Sequence, residues 1–287
     1  MMDNQNRSQG LGIHFRRAIA YVVLIFLVIL CLFFFYVLLI NTTRPHTDIQ
    51  KGFSFLPGKA FMANLNHLMA NENLPVLRGI FNSLFIAAVS AVLTTYFSAL
   101  TAYAVHVYDF KLKKAAFTFI MMIMTIPTQV SALGFVNLMR KMNLMDSFIP
   151  LIIPAIAAPV VFFFMIQYMQ SSLPLEIVEA ARIDGAGEFY TFNTIVMHIM
   201  KPAIAVQAIF AFVTSWNNYF VPSLIINSAE KKTLPILIAQ LRGADFLKFD
   251  MGQVYMLIAI SIFPVMIVYF CLSKFIVQGV ALGSVKG

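Results

Sequence analysis

The chain has 287 residues, of which 60% are hydrophobic and 11% are charged, and its mean hydropathy is +0.84. Because a soluble domain carries about 25% charged residues, this composition excludes a globular fold with a water-covered surface and indicates a polytopic membrane protein. The net charge of +8 comes from basic residues scattered among the polar stretches, so it favours contact with anionic membrane lipid over nucleic acid.

Six apolar stretches are long enough to cross a hydrocarbon core, which takes about 20 helical residues. They are predicted at residues 18–40, 80–106, 115–138, 148–169, 203–226 and 254–276. The predicted fold class is therefore all-α, with a transmembrane domain over residues 18–276. An N-terminal segment (1–17) precedes this domain and a C-terminal tail (277–287) follows it. Cys31 and Cys271 lie in apolar runs and are predicted to be small buried hydrophobic side chains.

Proline interrupts two of the predicted spans. The third span is broken at Pro127-Thr128-Gln129, and the fourth contains Pro150, Pro154 and Pro159. Each proline leaves a backbone carbonyl without its usual helical donor, and lipid cannot supply one. Both spans are therefore expected to face other protein segments or a water-filled path.

A charged stretch at residues 174–202 separates the fourth and fifth spans and is predicted to form two short helices joined by a bend. Pro174 suits a helix N-terminus, where no hydrogen bond is lost. Asp184-Gly185 is a stop signal, because glycine adopts the left-handed conformation that ends many helices. A second helical piece is expected from Glu188 to Pro202. This elbow is suited to being held by another protein, and an ordinary solvated loop is the alternative interpretation.

One motif in the elbow combines Glu179-Ala180-Ala181 with Gly185, six positions after the glutamate, and Ile195, ten positions later. The motif resembles the EAA loop of ABC-transporter permease subunits. The fuller string EAARIDGAGEF is similar to the carbohydrate-importer branch, and the small permease of the maltose-importer type is the subunit it most resembles. Met197-His198 stands where that family usually has Leu-Pro, so the exit from the elbow is expected to differ.

Similarity to the same family extends over residues 75–287. It is carried by Asn82-Ser83, Ala102-Tyr103-Ala104, Trp216-Asn217 and the terminal Gly-Ser-Val-Lys-Gly. The resemblance implies the six-helix type I importer fold, with a permease core at about residues 75–276. It also implies a second, different permease subunit, two cytoplasmic ATPases and an extracytoplasmic solute-binding protein. ATP and Mg²⁺ would bind in the ATPase, so no cofactor, catalytic residue or metal site is expected in this chain.

The resemblance further implies which residues meet each partner. The elbow would contact the ATPase through Glu179, Ala180, Ala181, Asp184, Gly185 and Ile195. The tail would contact it through Lys286 and Gly287. An extracytoplasmic loop at residues 227–252 would reach the binding protein through Leu234, Pro235 and Gln240.

Candidate substrate contacts follow from chemistry, since aromatic rings stack on sugar faces and amides hydrogen-bond to hydroxyl groups. The candidates are Gln207, Trp216, Asn217, Asn218 and Tyr219 on the fifth span, with Thr128 and Gln129 beside Pro127. Hydrogen bonding between helices is the alternative explanation for such polar residues in a membrane domain.

Charge alone does not orient the chain, because Lys and Arg divide evenly between the two sides of a six-span topology. The resemblance places the elbow and both termini in the cytoplasm of a bacterial cell. An ion-coupled secondary carrier and a non-transporting scaffold remain alternatives. Every Asp and Glu lies outside the predicted spans, which argues against a proton-coupled carrier. The stretch 52–59, GFSFLPGK, lacks the spacing and the Ser/Thr of a phosphate-binding loop.

Overall fold

The computed structural model describes residues 2–244 and 249–283, with side chains described for residues 16–244 and 249–275. Every regular element in these ranges is helical, so the predicted all-α class is confirmed. The α-helices in chain order are α1 (Met2–Thr42), α2 (His46–Gln50), α3 (Phe61–Met69), α4 (Val76–Val107), α5 (Lys113–Ile123), α6 (Thr128–Lys141), α7 (Ile149–Ile152), α8 (Pro159–Ser172), α9 (Leu175–Ile183), α10 (Glu188–Tyr190), α11 (Met197–Ile199), α12 (Lys201–Trp216), α13 (Phe220–Ile225), α14 (Leu234–Arg242) and α15 (Met251–Gly283).

Four of the six predicted spans are single helical stretches that are long and apolar enough to cross a membrane. They are Arg16–Thr42, Val76–Val107, Ile149–Ser172 and Met251–Phe275. The third predicted span is a pair of helices, α5 and α6, that meet at 96°, where Pro127 has an extended backbone. The fifth predicted span begins with α12, and the segment Glu188–Ile199 before it, which belongs to the predicted elbow, meets α12 at 82°. By length and composition the described residues contain four single spans, or up to six if each bent pair is one span.

Several predicted boundaries move because helices continue through polar residues. Helix α1 takes in residues 2–17 of the predicted N-terminal segment, and α15 runs into the predicted tail as far as Gly283. The predicted loop 227–252 contains α14. Its side chains Leu234, Leu237 and Leu241 are buried at helical spacing, so much of this loop is an amphipathic helix.

The chain divides into two compact units, of which the first comprises residues 1–70 and 244–260. In this unit the buried Asn64 side chain of α3 donates hydrogen bonds to the carbonyls of Thr42 and Arg44, at 2.8 and 3.0 Å. Arg44 is also buried and donates to the carbonyls of Asp48 and Gly52. These bonds satisfy the polar groups that would otherwise be buried without partners.

Both cysteines are exposed, Cys31 on α1 and Cys271 on α15, which corrects the prediction that they are buried. Most large apolar side chains of α1 are exposed as well. An apolar side chain is as well accommodated by lipid tails as by a protein core, so an apolar run does not distinguish the two.

The second unit comprises residues 71–243 and 261–287 and is organised around α4. Helices α8 and α12 pack along α4. Small residues allow this close approach: Ser90, Ala91, Ala99 and Ala102 are all buried on α4. The larger side chains of α8 and of the segment after α9 fill the space beside them, and the largest include Met165, Met169, Phe192 and Met200.

The N-terminal end of α4 holds the segment that leads into α14. Asn82 donates its side-chain amide to the carbonyls of Glu230 and Lys232, at 2.8 and 3.0 Å. The Ser83 hydroxyl accepts a hydrogen bond from the Leu234 N–H, which is one of the unpaired donors at the start of α14. The weak Asn82-Ser83 motif therefore has a structural use, which is to fix α14 on α4.

Candidate functional site

The elbow, residues 174–200, is built by the local signals that its sequence contains. Helix α9 follows an extended Pro174 and ends at Ile183, and Gly185, whose φ is +80°, follows the C-cap residue Asp184. The Gly185 N–H donates to the Arg182 carbonyl at 3.0 Å and the Ala186 N–H donates to the Ala181 carbonyl at 2.9 Å. These two bonds form a Schellman C-cap, which requires a left-handed residue at the glycine position.

The inner face of the elbow packs into the core of the second unit. Val178 and Ala181 of α9 are buried, as are Phe192, Val196 and Met200 beyond the bend. Phe192 contacts Tyr96 and Tyr103 of α4, with ring centroids 5.7 and 5.4 Å apart. The chain passes Phe192 in a π-helical segment, residues 191–196, and such segments are frequent at functional sites.

A polar cluster fixes the elbow to the C-terminal end of α4. The Glu188 carboxylate accepts a hydrogen bond from Arg182 Nε at 2.6 Å and another from the Tyr103 hydroxyl at 2.9 Å. The Arg182 guanidinium lies 5.4 Å from the ring centre of Tyr108, within the range of a cation–π interaction. We call these four residues the Glu188 cluster; it joins both halves of the elbow to α4.

The Glu188 cluster keeps its carboxylate ionised. Hydrogen bonding from Arg182, followed by that from Tyr108, lowers the pKa of Glu188 from 4.5 to about 2. The hydrogen bond that Arg182 donates to Glu188 also raises the pKa of Arg182. At neutral pH both partners are therefore charged, and the pair is a charge-assisted hydrogen bond.

The outer face of the elbow is exposed in the part of the chain that the structure describes. The motif residues Glu179, Ala180, Asp184 and Gly185 are exposed. Two apolar side chains stand out from the same surface, Ile183 at 86% exposure and Phe189 at 77%. Of the predicted contact residues, Ala181 is buried and Ile195 is half-buried, so these two serve mainly to seat the elbow.

A cavity of about 1040 Å³ lies in the second unit. It is bounded by α4, α6, α8, α12, α13 and the kinked segment 149–158, and its wall is mostly apolar. Eight polar side chains also line it: Ser90, Thr94, Thr128, Ser131, Gln207, Thr214, Ser215 and Asn218. The three prolines of the fourth span, Pro150, Pro154 and Pro159, line the cavity, whereas Pro127 of the third span is exposed and does not.

One hydrogen bond shows how the proline kinks are tolerated. The helix is broken between Ile156 and Pro159. At this break the Thr94 hydroxyl of α4 donates to the Ala155 carbonyl, at 2.7 Å. A polar residue of a neighbouring helix thus satisfies backbone that lipid could not.

The candidate substrate contacts separate into different places. Asn218 lines the cavity, whereas Gln129 is exposed and is not part of its wall. Trp216 is buried and stacks on Phe212, with ring centroids 5.8 Å apart. Trp216 and Asn217 instead border a smaller recess beside α14. Gln129 lies on α6, and Trp216 and Asn217 lie at the C-terminal end of α12; none of the three lines the cavity.

Sequence analysis did not identify Ser90 and Thr94 as cavity residues. Both lie on a span rich in Ala, Ser and Thr, a composition that also serves close packing between membrane helices. Within the part of the chain that the structure describes, the Ser90 hydroxyl is buried without a hydrogen-bond partner. The available signal was the helical spacing of these two residues on α4.

The predicted binding-protein contacts also differ among themselves. Leu234 is fully buried and cannot contact a partner, because it packs at the start of α14 under the Ser83 cap. Pro235 is half-buried and Gln240 is exposed. The predicted tail contacts Lys286 and Gly287 lie outside the described residues.

Gly185 and Gly187 provide a matched test of the elbow. A Cβ added at either glycine would meet nothing within 4 Å, but only Gly185 has a positive φ. Gly185→Ala is expected to lower the free energy of local opening at the Ala186 amide by about 1–2 kcal/mol, the penalty for a left-handed non-glycine residue. Gly187→Ala should leave it unchanged or raise it. Amide hydrogen exchange of the purified protein measures both, and equal effects would contradict the cap.

The Glu188 cluster predicts a pH dependence. The pKa of Glu188 is lowered in the folded protein, so its stabilisation is full above pH 4.5 and is lost as the pH falls toward 2. Glu188→Gln should therefore reduce protection of the elbow amides at pH 7, and the difference from wild type should shrink at pH 3. Glu176→Gln changes an exposed acid of α9 that lies outside the Glu188 cluster, and it serves as the control. A pH-independent difference would argue against the ion pair.

Comparison with known proteins identifies the chain's relatives. The family described as "Binding-protein-dependent transport system inner membrane component" matches residues 94–282. The arabinooligosaccharides transport system permease protein AraQ of Bacillus subtilis (strain 168) is 32% identical over 264 residues, which are 90% of this chain and 92% of that protein. The lactose transport system permease protein LacG of Rhizobium radiobacter is 28% identical, over 87% of this chain and 89% of its own length.

A solved structure agrees with the fold. A chain of a bacterial ABC transporter involved in the import of the acidic polysaccharide alginate superposes with a TM-score of 0.76, covering 90% of this chain and 95% of its own, at 20% identity. The described helices, the bent pairs and the elbow are thus the architecture of an importer's membrane component. The chain belongs to the family of binding-protein-dependent transport system inner membrane components, the permease subunits of ABC importers.

Proposed function

We propose that the chain is one permease subunit of an ATP-driven importer for a sugar or oligosaccharide in the bacterial cell membrane. It would form half of the translocation path, pair with a second, different permease, and receive its substrate from an extracytoplasmic binding protein. The names of two relatives support a carbohydrate as the substrate: one is an arabinooligosaccharide permease and the other is a lactose permease. The sn-glycerol-3-phosphate permease UgpE of Yersinia enterocolitica, 28% identical over 90% of this chain, widens the class to polar, hydroxyl-bearing solutes.

The observation that carries the proposal is the elbow with its two different faces. Its inner face is buried on α4 and α8, and its outer face exposes Glu179 beside the apolar side chains Ile183 and Phe189. Apolar groups rimmed by charge are typical of a protein contact. The partner we propose for this face is a cytoplasmic ATPase, which would bind the ATP and Mg²⁺. Both chain termini would then also be cytoplasmic.

The connection between the elbow and the cavity is helix α4. Tyr103, in the Glu188 cluster, and Thr94, in the cavity wall, are nine residues apart on this helix, which is about 14 Å at 1.5 Å per residue. The Glu188 cluster and the buried face of α9 leave the elbow little freedom to move relative to α4. A displacement of the elbow would therefore also move the cavity wall.

This coupling suits a permease with two packings that open the path to opposite sides. Closure of the ATPase pair would favour one packing by binding the elbow in that arrangement, as any ligand shifts an equilibrium through differential affinity. Glu179 is the proposed anchor, since an exposed carboxylate can pair with basic or amide donors. Gly185 preserves the bend between α9 and the following helix.

The experiment is reconstitution of the chain with its co-purifying subunits. We expect an ATPase to co-purify and sugar uptake to be vanadate-sensitive. Glu179→Lys should abolish binding-protein-stimulated ATP hydrolysis while the protein still inserts. Glu72→Lys, the same charge change at an exposed site near the start of α4, should not.

Two results would contradict the proposal. Normal transport by Glu179→Lys would show that the elbow does not form the ATPase contact. Substrate movement by this chain alone in liposomes, driven by an ion gradient, would establish the secondary carrier instead.

A further inference from the structure

A second polar cluster joins two loops that are about 80 residues apart in the sequence. The first loop lies between α6 and α7 and contains Asp146. The second follows α13. The Asp146 N–H donates to the Ile225 carbonyl at 2.9 Å, and one oxygen of its carboxylate accepts hydrogen bonds from the N–H groups of Asn227 and Ser228, both at 2.9 Å.

The other carboxylate oxygen of Asp146 binds two side chains. It accepts a hydrogen bond from the Ser228 hydroxyl, and the Lys231 ammonium lies 3.0 Å away. Lys231 also donates to the backbone carbonyl of Asp146. We call Asp146, Asn227, Ser228 and Lys231 the Asp146 cluster.

The backbone and the charge of Asp146 both fit this arrangement. Its φ is +54°, a left-handed conformation that aspartate tolerates better than most residues. Hydrogen bonds from Ser228 and Asn227 hold the pKa of the Asp146 carboxyl well below its usual range. The carboxylate is therefore ionised at every physiological pH, so protonation of Asp146 does not break its pairing with Lys231.

The two loops joined by the Asp146 cluster lead to different parts of the second unit. On one side, Pro150, Leu151 and Pro154 follow Asp146 and line the cavity, and Val221 lines it just before the second loop. On the other side, Lys231 precedes α14, whose exposed Gln240 belongs to the proposed binding-protein contact. Lys231 therefore lies close to the start of α14 in the sequence and is ion-paired with Asp146, in the loop that leads to the cavity wall.

We propose that Asp146 and Lys231 are positioning residues that transmit docking at α14 to the kinked cavity wall. The inference rests on the proposed function, in which α14 faces the extracytoplasmic binding protein. In this account, a partner that displaces α14 moves Lys231, and Lys231 carries with it the Asp146 loop and the segment 149–156. Docking at α14 would thus change the packing of the cavity wall before the ATPase displaces the elbow.

A neighbouring ion pair supplies a matched comparison. Arg78 of α4 lies 3.3 Å from Glu230, with side-chain exposures of 58% and 74%. This pair also tethers the segment before α14, but it leads to α4 and not to the Asp146 loop. If any ion pair near α14 simply stabilised the loop, loss of either pair would have the same effect.

The first experiment measures ATP hydrolysis by the assembled complex with and without the binding protein. Lys231→Met removes the charge and keeps a side chain of similar length, while the backbone N–H groups and Ser228 still bind Asp146. We expect the ratio of stimulated to unstimulated hydrolysis to fall about tenfold, a typical size for coupling between sites. Lys231→Arg should restore most of the ratio, and Arg78→Met should leave it near the wild-type value.

A second measurement does not need any partner. Amide hydrogen exchange of the purified chain should increase in Lys231→Met both at 227–232 and at the cavity wall, 149–156, and in Arg78→Met only near α14.

The outcomes separate the two proposals. If the wild-type complex hydrolyses no ATP or is not stimulated by the binding protein, the proposed function fails. The positioning role is overturned if Lys231→Met keeps its stimulation ratio, if both rates fall in parallel, or if exchange at 149–156 does not change.

Discussion

The carboxylate of Glu188 is the interaction on which the arrangement of the second unit depends. It accepts hydrogen bonds from Arg182 on one side of the elbow and from Tyr103 on α4. The Tyr96 hydroxyl of α4 donates a further hydrogen bond to Asn193 of the elbow, at 3.2 Å. The apolar packing around these bonds resists separation but resists sliding less, because it is not directional. The hydrogen bonds add direction, so the bend between α9 and the following helix keeps a fixed orientation to α4.

Helix α4 then serves as a common support along its length. Its C-terminal end holds the elbow, its middle supplies Ser90 and Thr94 to the cavity, and Asn82 at its N-terminal end holds the segment before α14. The need to satisfy every backbone group in a membrane domain explains why this support is polar in places. Thr94 donates to the Ala155 carbonyl at the break before α8, and Lys231 donates to the Asp146 carbonyl in the loop before α7.

Local chemistry allowed much of this fold to be predicted. The proline at 174, the glycine at 185 and the apolar runs each act within a few residues, so the elbow and the spans were recognisable from the sequence. The bends at Pro127 and before Lys201 follow from the same signals. The motif around Glu179 identified the family, which the relatives confirm.

What the sequence did not reveal depends on side chains from distant segments. The pairings of Glu188 with Tyr103 and of Asp146 with Lys231 each join residues about 85 positions apart, and no periodicity indicates them. The direction of a side chain at a helix end was also unpredictable. Trp216 and Asn218 are two residues apart, yet only Asn218 faces the cavity. Helix α14 was missed because its nine residues are short for a periodicity signal.

The most direct test of the account is site-specific photocross-linking in membranes that contain the assembled transporter. A photoreactive residue would replace Ile183 on the outer face of the elbow or, as the control, Leu77 at the start of α4; the two side chains are 86% and 72% exposed. The account predicts an adduct between position 183 and a soluble ATPase, and none from position 77. An adduct to the ATPase from position 77, or none from position 183 in a transporting complex, would contradict it.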